Sequence, residues 1–90
     1  MEYSYPIDVD WSQEEMIQVI EFFNHIENAY EDKTDKDQFA NAYKNFKKIV
    51  PGKSDENNIY KEFKEASGYD GYKAVKTLKE NKDSSHISIK

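Results

Sequence analysis

The stretch Trp11-Ser12-Gln13-Glu14-Glu15-Met16-Ile17-Gln18-Val19-Ile20-Glu21-Phe22-Phe23-Asn24-His25-Ile26-Glu27-Asn28-Ala29-Tyr30 decides the fold class. It opens with a complete helix start. Ser12 and Glu15 stand three apart, so each side chain can accept from the other's otherwise unpaired backbone N–H. Trp11 lies just ahead of the cap, where it can staple onto Met16. Glu14 and Glu15 suit the positive end of the helix dipole. At about 100° per residue, Met16, Val19, Ile20, Phe23, Ile26 and Tyr30 fall in one apolar stripe. Ile17 and Phe22 flank that stripe on opposite sides. The helix is expected to end near Tyr30 or Glu31, where Glu31-Asp32-Lys33-Thr34-Asp35 turns polar.

Downstream the same periodicity returns three times. Helix 2 can take Thr34 or Asp35 as its cap, and Phe39, Ala42, Tyr43, Phe46, Ile49 and Val50 keep the 3–4 spacing until Pro51-Gly52 stops it. Helix 3 is expected to start at Ser54, with Asp55 and Glu56 in its first turn. Ile59, Tyr60, Phe63 and Ala66 form its stripe, and Gly68 suits a left-handed C-terminal cap. Helix 4 can begin at Asp70, carry Tyr72, Val75 and Leu78 inward, and end around Asn81.

Upstream, Tyr3, Tyr5, Ile7, Val9 and Trp11 alternate with Ser4, Pro6, Asp8 and Asp10. Period two marks an extended segment with one apolar face, and Pro6 is unwelcome in a central strand. It reads as a strap laid across helices. The end, from Lys82 through His86 to Lys90, reads as a frayed tail. The expected fold is therefore all-α, a somewhat irregular four-helix bundle with an extended N-terminal strap. Residues 1–82 form a single domain, and 83–90 form the tail. Helix 1 is the longest and should be central, with helices 1 and 2 antiparallel because their connection is short.

Ninety residues suffice for one modest core. Thirteen of them are Tyr, Phe or Trp, and each ring buries a large area, so few aliphatics are needed. With no cysteine, disulfides, thiolate metal sites and cysteine nucleophiles are excluded together. The opening residues have neither a basic region nor an apolar run, and no segment is long and apolar enough for a membrane span, so a cytoplasmic setting is expected. Charge is divided unequally. Residues 1–45 hold eleven acids and three lysines, giving −8, and residues 46–90 hold seven acids and ten lysines, giving +3. There is no arginine, the side chain whose planar fork grips phosphate and guanine edges.

Chemistry-bearing constellations are sparse. Glu21 and His25 share a helix face, but no third metal ligand is in sight, and an i,i+4 pair is ordinarily a surface contact. Asp32, Asp35 and Asp37 fail as a calcium loop: Lys36 falls on a ligand position, and glycine is missing from the sharp turn. Ser12 and Ser67 have no histidine near them in sequence, and Gly52, Gly68 and Gly71 form no phosphate cradle. An enzyme would need a pocket without a recognisable motif, so neither catalysis nor a cofactor is expected. Helices 3 and 4 around Gly68-Tyr69-Asp70-Gly71 resemble a helix-turn-helix in outline, with Lys73, Lys76 and Lys79 on the second helix. The competing explanation is that these lysines complement the helix dipole and solubilise its face. With net charge −5, nucleic acid is disfavoured and stands as the alternative.

Partner binding is the leading expectation. Ile17 and Phe22 sit off the centre of the helix 1 stripe, and the strap adds Tyr3, Tyr5 and Trp11, so rings are plentiful for a small core. Surplus aromatics on a soluble domain commonly mark an interface. A bundle of short helices that needs every ring for its interior is the competing reading. Asp8 and Asp10 beside Trp11 would suit a basic partner. Tyr5, Asp8, Asp10, Ile17 and Phe22 are thus the candidate surface, for a foreign protein or for a two-fold homodimer.

Met1-Glu2-Tyr3-Ser4-Tyr5-Pro6-Ile7-Asp8-Val9-Asp10-Trp11-Ser12 resembles the start of the YktA-like uncharacterised proteins of low-GC Gram-positive bacteria. Three further stretches agree in order and spacing: Glu14-Glu15-Met16 to Phe22-Phe23-Asn24, Ala42-Tyr43-Lys44-Asn45-Phe46-Lys47 to Val50-Pro51, and Ser67-Gly68-Tyr69 with Tyr72-Lys73-Ala74-Val75. The resemblance implies a small helical fold and a cytoplasmic bacterial protein. It carries no activity and no site residues to transfer.

Overall fold

The start read around Ser12 is formed as expected. Ser12 Oγ accepts from the Glu15 N–H at 3.1 Å, and Glu15 Oε1 accepts from the Ser12 N–H at 2.8 Å. In the computed structural model, which describes residues 3–81 and 84–89, this cap opens α1 (Gln13–Glu31). There follow β1 (Thr34–Asp35), α2 (Lys36–Ile49), α3 (Lys53–Ser67), α4 (Gly71–Glu80) and β2 (His86–Ile87). Asp35 caps α2 by accepting from Gln38 N–H at 2.9 Å, and Asp70 caps α4 through Lys73 N–H at 3.2 Å. Gly68 ends α3 at φ +83°, a left-handed conformation in which a Cβ would be strained.

One start differs. Ser54 does not cap α3. The Gly52 carbonyl already accepts from Glu56 N–H at 3.0 Å, so Gly52 is the cap and Ser54 lies inside the first turn.

All four helices converge on an aromatic interior. Phe22, Phe23, Phe39, Phe46 and Phe63 are completely buried, together with Val19, Ile26, Ala29 and Ile87. Phe22 stacks on Phe46 at 4.4 Å, and Phe23 stacks on Phe63 at 4.6 Å, so adjacent rings of α1 meet both α2 and α3. Phe22 is therefore interior, which corrects the expectation of it as a surface residue. The buried residues of α1, Val19, Phe22, Phe23, Ile26 and Ala29, keep the 3–4 spacing and form one stripe, centred further round the helix than a stripe drawn through Met16, Ile20 and Tyr30. On α4 the inward residues are Gly71, Ala74, Val75 and Leu78, while Tyr72, expected to face inward, is 57% exposed. A Cβ on Gly71 would stand 2.7 Å from the Tyr60 ring, so glycine here allows α4 to close on α3.

The strap is held by rings and phenols. Tyr5 lies parallel to Phe23 at 5.6 Å, and Tyr3 meets Phe63 edge-on at 5.9 Å. Both phenols donate to the Glu27 carboxylate, Tyr5 at 2.9 Å, and Tyr5 also donates to Asn24 at 3.1 Å. Burial, then the Glu27 hydrogen bond, push the Tyr5 phenol up to about 12 and raise that of Tyr3 as well. The alternation stops at Ile7. Trp11 N–H donates to the Asp8 carbonyl at 3.1 Å, closing a turn that leaves Val9 89% exposed at its tip.

The second correction concerns the end of the chain. In place of the frayed tail expected over 83–90, β2 pairs antiparallel with β1, Thr34 opposite Ile87 and Asp35 opposite His86. Ile87 is fully buried, Ile89 packs on the core, and Ile89 N–H donates to the Ala29 carbonyl at 2.9 Å. Apolar burial and ladder hydrogen bonds hold the segment. Met1, Glu2, Lys82, Asp83 and Lys90, which belong to the strap and tail readings, lie outside the described residues.

Candidate functional site

Two grooves flank α3, and their lining residues are disjoint. The first, of about 480 Å³, runs between the strap, the end of α2 and one face of α3. Its apolar surface comes from Pro6, Ile7, Trp11, Ile49, Val50, Pro51 and Ile59, and its acids are Asp8, Asp55 and Glu62. Asp55, Ile59 and Glu62 stand four and three apart, so the helix turn places them on one face. No lysine among the described residues lines this groove.

The second groove, of about 470 Å³, lies between α2, α3 and α4. Lys53, Glu56, Asn57 and Tyr60 reach it from α3, roughly 150° around the helix axis from the acidic face. Tyr43 and Lys47 come from α2, and Tyr72, Val75, Lys76, Lys79 and Glu80 from α4. At its base Glu56 is 7% exposed. Its carboxylate accepts from Lys47 Nζ at 2.6 Å, from the Tyr60 phenol, and from the Tyr43 phenol at 3.3 Å. Burial alone would raise the Glu56 pKa. The Lys47 ammonium and the two phenols outweigh it and hold the group below its ordinary value of 4.5. Burial, and then the bond to Glu56, push the Tyr60 phenol up.

Such a carboxylate stays ionised at neutral pH and is suited to holding its neighbours rather than to donating a proton. Glu56→Gln, which keeps the shape and removes the charge, is expected to cost about 1–3 kcal/mol near neutral pH. The depressed folded-state pKa contributes stability above the ordinary carboxylate value, and that contribution is lost as pH falls through the lower folded value. Urea titrations of both proteins should therefore show a gap that narrows in acid.

The sequence-derived candidates fall in separate places. Asp8 lines the acidic groove; Asp10 is exposed on the adjoining turn, where its N–H donates to Asp8 Oδ1 at 2.9 Å. Tyr5 is half-buried and anchors the strap, and Ile17, 58% exposed, lies outside both grooves. Phe22 is interior. On α4, Lys76 and Lys79 line the second groove while Lys73 does not. His25 is used between elements, its Nδ1 2.6 Å from Thr34 Oγ1 and its ring stacked on Phe39, and burial lowers its pKa despite Glu21 and Asp35. Among the described residues no cluster of three or more His, Asp or Glu side chains is placed to hold a metal ion.

Sequence reasoning missed Asp55, Ile59 and Glu62 as one unit, and Lys47, Lys53 and Glu56 as another. The i,i+4,i+7 spacing on α3 was the available signal for the first. Nothing local signalled the second, because its walls are far apart in the chain.

Fold and grooves define a small all-α domain whose helices are tied by a two-residue ladder. The chain belongs to the uncharacterised protein family UPF0223, whose family model matches residues 2–87. It is 58% identical over 81 residues to the UPF0223 protein of Staphylococcus epidermidis, covering 90% of this chain and 88% of that one. It is 50% identical over 90 residues to the UPF0223 proteins of Staphylococcus saprophyticus and of Staphylococcus aureus strain Newman, covering 98% and 99% of those chains. These relatives come from low-GC Gram-positive bacteria, in keeping with the resemblance read from the motifs. No described helix is long and apolar enough to cross a membrane.

Proposed function

We propose that this chain is a small non-enzymatic interaction module of the bacterial cytoplasm. Its acid-rimmed groove takes a basic segment of a partner protein through an apolar anchor. One observation carries the reading: among the described residues, Ile7, Trp11, Ile49 and Ile59 line a single groove with Asp8, Asp55 and Glu62 and no lysine. An apolar surface beside like-signed charges favours a partner of opposite charge and steers its approach. The alternative, a nucleic-acid surface on α4, has weaker support. Lys76 lies 4.0 Å from Glu80, Lys79 sits over the Tyr43 ring at 5.3 Å, and Lys73 stands outside the lysine groove.

The test is in-cell crosslinking with mass spectrometry of the wild type, an Asp55→Lys/Glu62→Lys variant and an Ile17→Glu variant. Both acids are exposed, so reversing Glu62 should change stability by no more than about 0.5 kcal/mol, and reversing Asp55, in the first turn of α3, should cost about 1 kcal/mol. The expected result is loss of crosslinks to a lysine- or arginine-bearing segment in the groove variant, with Ile17→Glu like the wild type. Crosslinks that survive the reversal, or that vanish only with Ile17→Glu, would reject the groove. Crosslinks solely between copies of this chain would replace the partner protein with a homodimer.

A further inference from the structure

The lysine groove sits on a chain of net charge −5, yet among the described residues four lysines and two glutamates line it. The lysines come from three helices, so one solvated helix face does not explain them. Their states differ. Lys47 is held by Glu56 at 2.6 Å, whereas Lys76 approaches Glu80 only at 4.0 Å with both side chains 63% exposed. Lys53 and Lys79 enter no ion pair among the described residues. Two cations thus face the cavity outside any ion pair among the described residues, and a third, Lys76, has only the loose, exposed contact with Glu80. Beside them stand three phenol rings, Tyr43, Tyr60 and Tyr72. Tyr72 is 57% exposed, and Tyr43 already carries the Lys79 ammonium over its face.

The geometry points to a binding site for a small phosphorylated molecule that carries a flat ring, of the nucleoside phosphate class. Lys53, Lys76 and Lys79 take the phosphate, and the exposed Tyr72 takes the ring. Lysines bind phosphate as point charges, without the bidentate geometry that arginine would add. An exposed tyrosine beside cations offers a stacking surface for a ring. Glu56 contributes rigidity: by holding Lys47 and two phenols it fixes the base of the cavity before a ligand arrives. A volume of about 470 Å³ is within the range of small-molecule sites. A long strand is disfavoured by the net charge, and Lys73, the cation that would extend the track along α4, is not on the groove.

The experiment is an amide-resolved NMR titration of the full chain in low salt with ADP, adenosine, inorganic phosphate and a thymidine oligonucleotide. ADP is expected to give saturable shifts at Lys53, Val75 and Lys76. Phosphate and adenosine alone should bind more weakly by about tenfold or more, as should ADP to a Lys76→Gln/Lys79→Gln variant of unchanged thermal midpoint. Tyr72→Ser, at an exposed position, reads the ring contact even should the double variant fail to fold. Absence of shifts at millimolar ADP would overturn the proposal, as would adenosine or phosphate binding as well as ADP. Tighter binding of the oligonucleotide than of ADP would replace it with a nucleic-acid surface. None of these outcomes bears on the acidic groove, which shares no lining residue with this one.

Discussion

Phe22→Ala is expected to remove about 3–5 kcal/mol of folding free energy, the cost of truncating a buried phenylalanine without collapse of the surroundings. The Phe22 ring is wholly buried and lies within 6.4 Å, centroid to centroid, of Phe23, Phe39, Tyr43, Phe46 and Tyr60. Its neighbours belong to α1, α2 and α3, so no single side chain can swing in to fill the void. Domains of this kind are stable by only about 5–15 kcal/mol, which makes the loss a large share of the total. In a chain of this size the thermal midpoint should fall by roughly 12 °C or more. Urea unfolding followed by circular dichroism checks this, with Ile17→Ala as an exposed control expected to stay within about 0.5 kcal/mol of the wild type. Equal, small effects in both would mean that Phe22 faces solvent and that the core is assigned wrongly.

The second large effect is expected at the other end of the sequence. Ile87→Ala should cost about 2–5 kcal/mol, because Ile87 is a completely buried aliphatic. Its burial depends on a ladder of two residues, so the change should also loosen that ladder. Lys36 N–H donates to the Ser85 carbonyl at 2.9 Å and Ile89 N–H to the Ala29 carbonyl at 2.9 Å. Amide hydrogen exchange at Lys36 and Ile89 should accelerate in the variant more than exchange at the centre of α1. A cost below about 0.5 kcal/mol, with both amides already unprotected in the wild type, would show that β2 is not docked.

These two residues also mark where the sequence could and could not be read. Caps were legible because their chemistry is local: Ser12 with Glu15, Asp35 with Gln38, Gly68 at a positive φ, and Asp70 with Lys73 all act within three or four residues. Periodicity found four helices for the same reason. It misplaced Phe22 because Met16, Ile20 and Tyr30, which are only half-buried, pull the apparent centre of the stripe away from the buried arc through Val19, Phe22, Ile26 and Ala29. It failed at Tyr72 because the tight approach of Gly71 to Tyr60 sets which face of α4 turns inward. Ile87 was invisible because its partner is Thr34, more than fifty positions away; the alternation of Ile87 and Ile89 with the polar His86, Ser88 and Lys90 was the only trace. For the grooves, Asp8, Lys76 and Lys79 were found one by one. Their companions come from other elements, and only the packing of α3 between them sorts acids to one side and cations to the other.

The placement of Trp11 has a practical consequence. It is the sole tryptophan in the chain, half-buried, and it stands on the wall of the acidic groove, while the lysine groove is lined by tyrosines. Indole emission moves to shorter wavelength when water is displaced from around the ring. Fluorescence excited at the red edge therefore watches one side of α3 and is blind to the other, so the unmodified protein carries its own gauge of which groove has been filled.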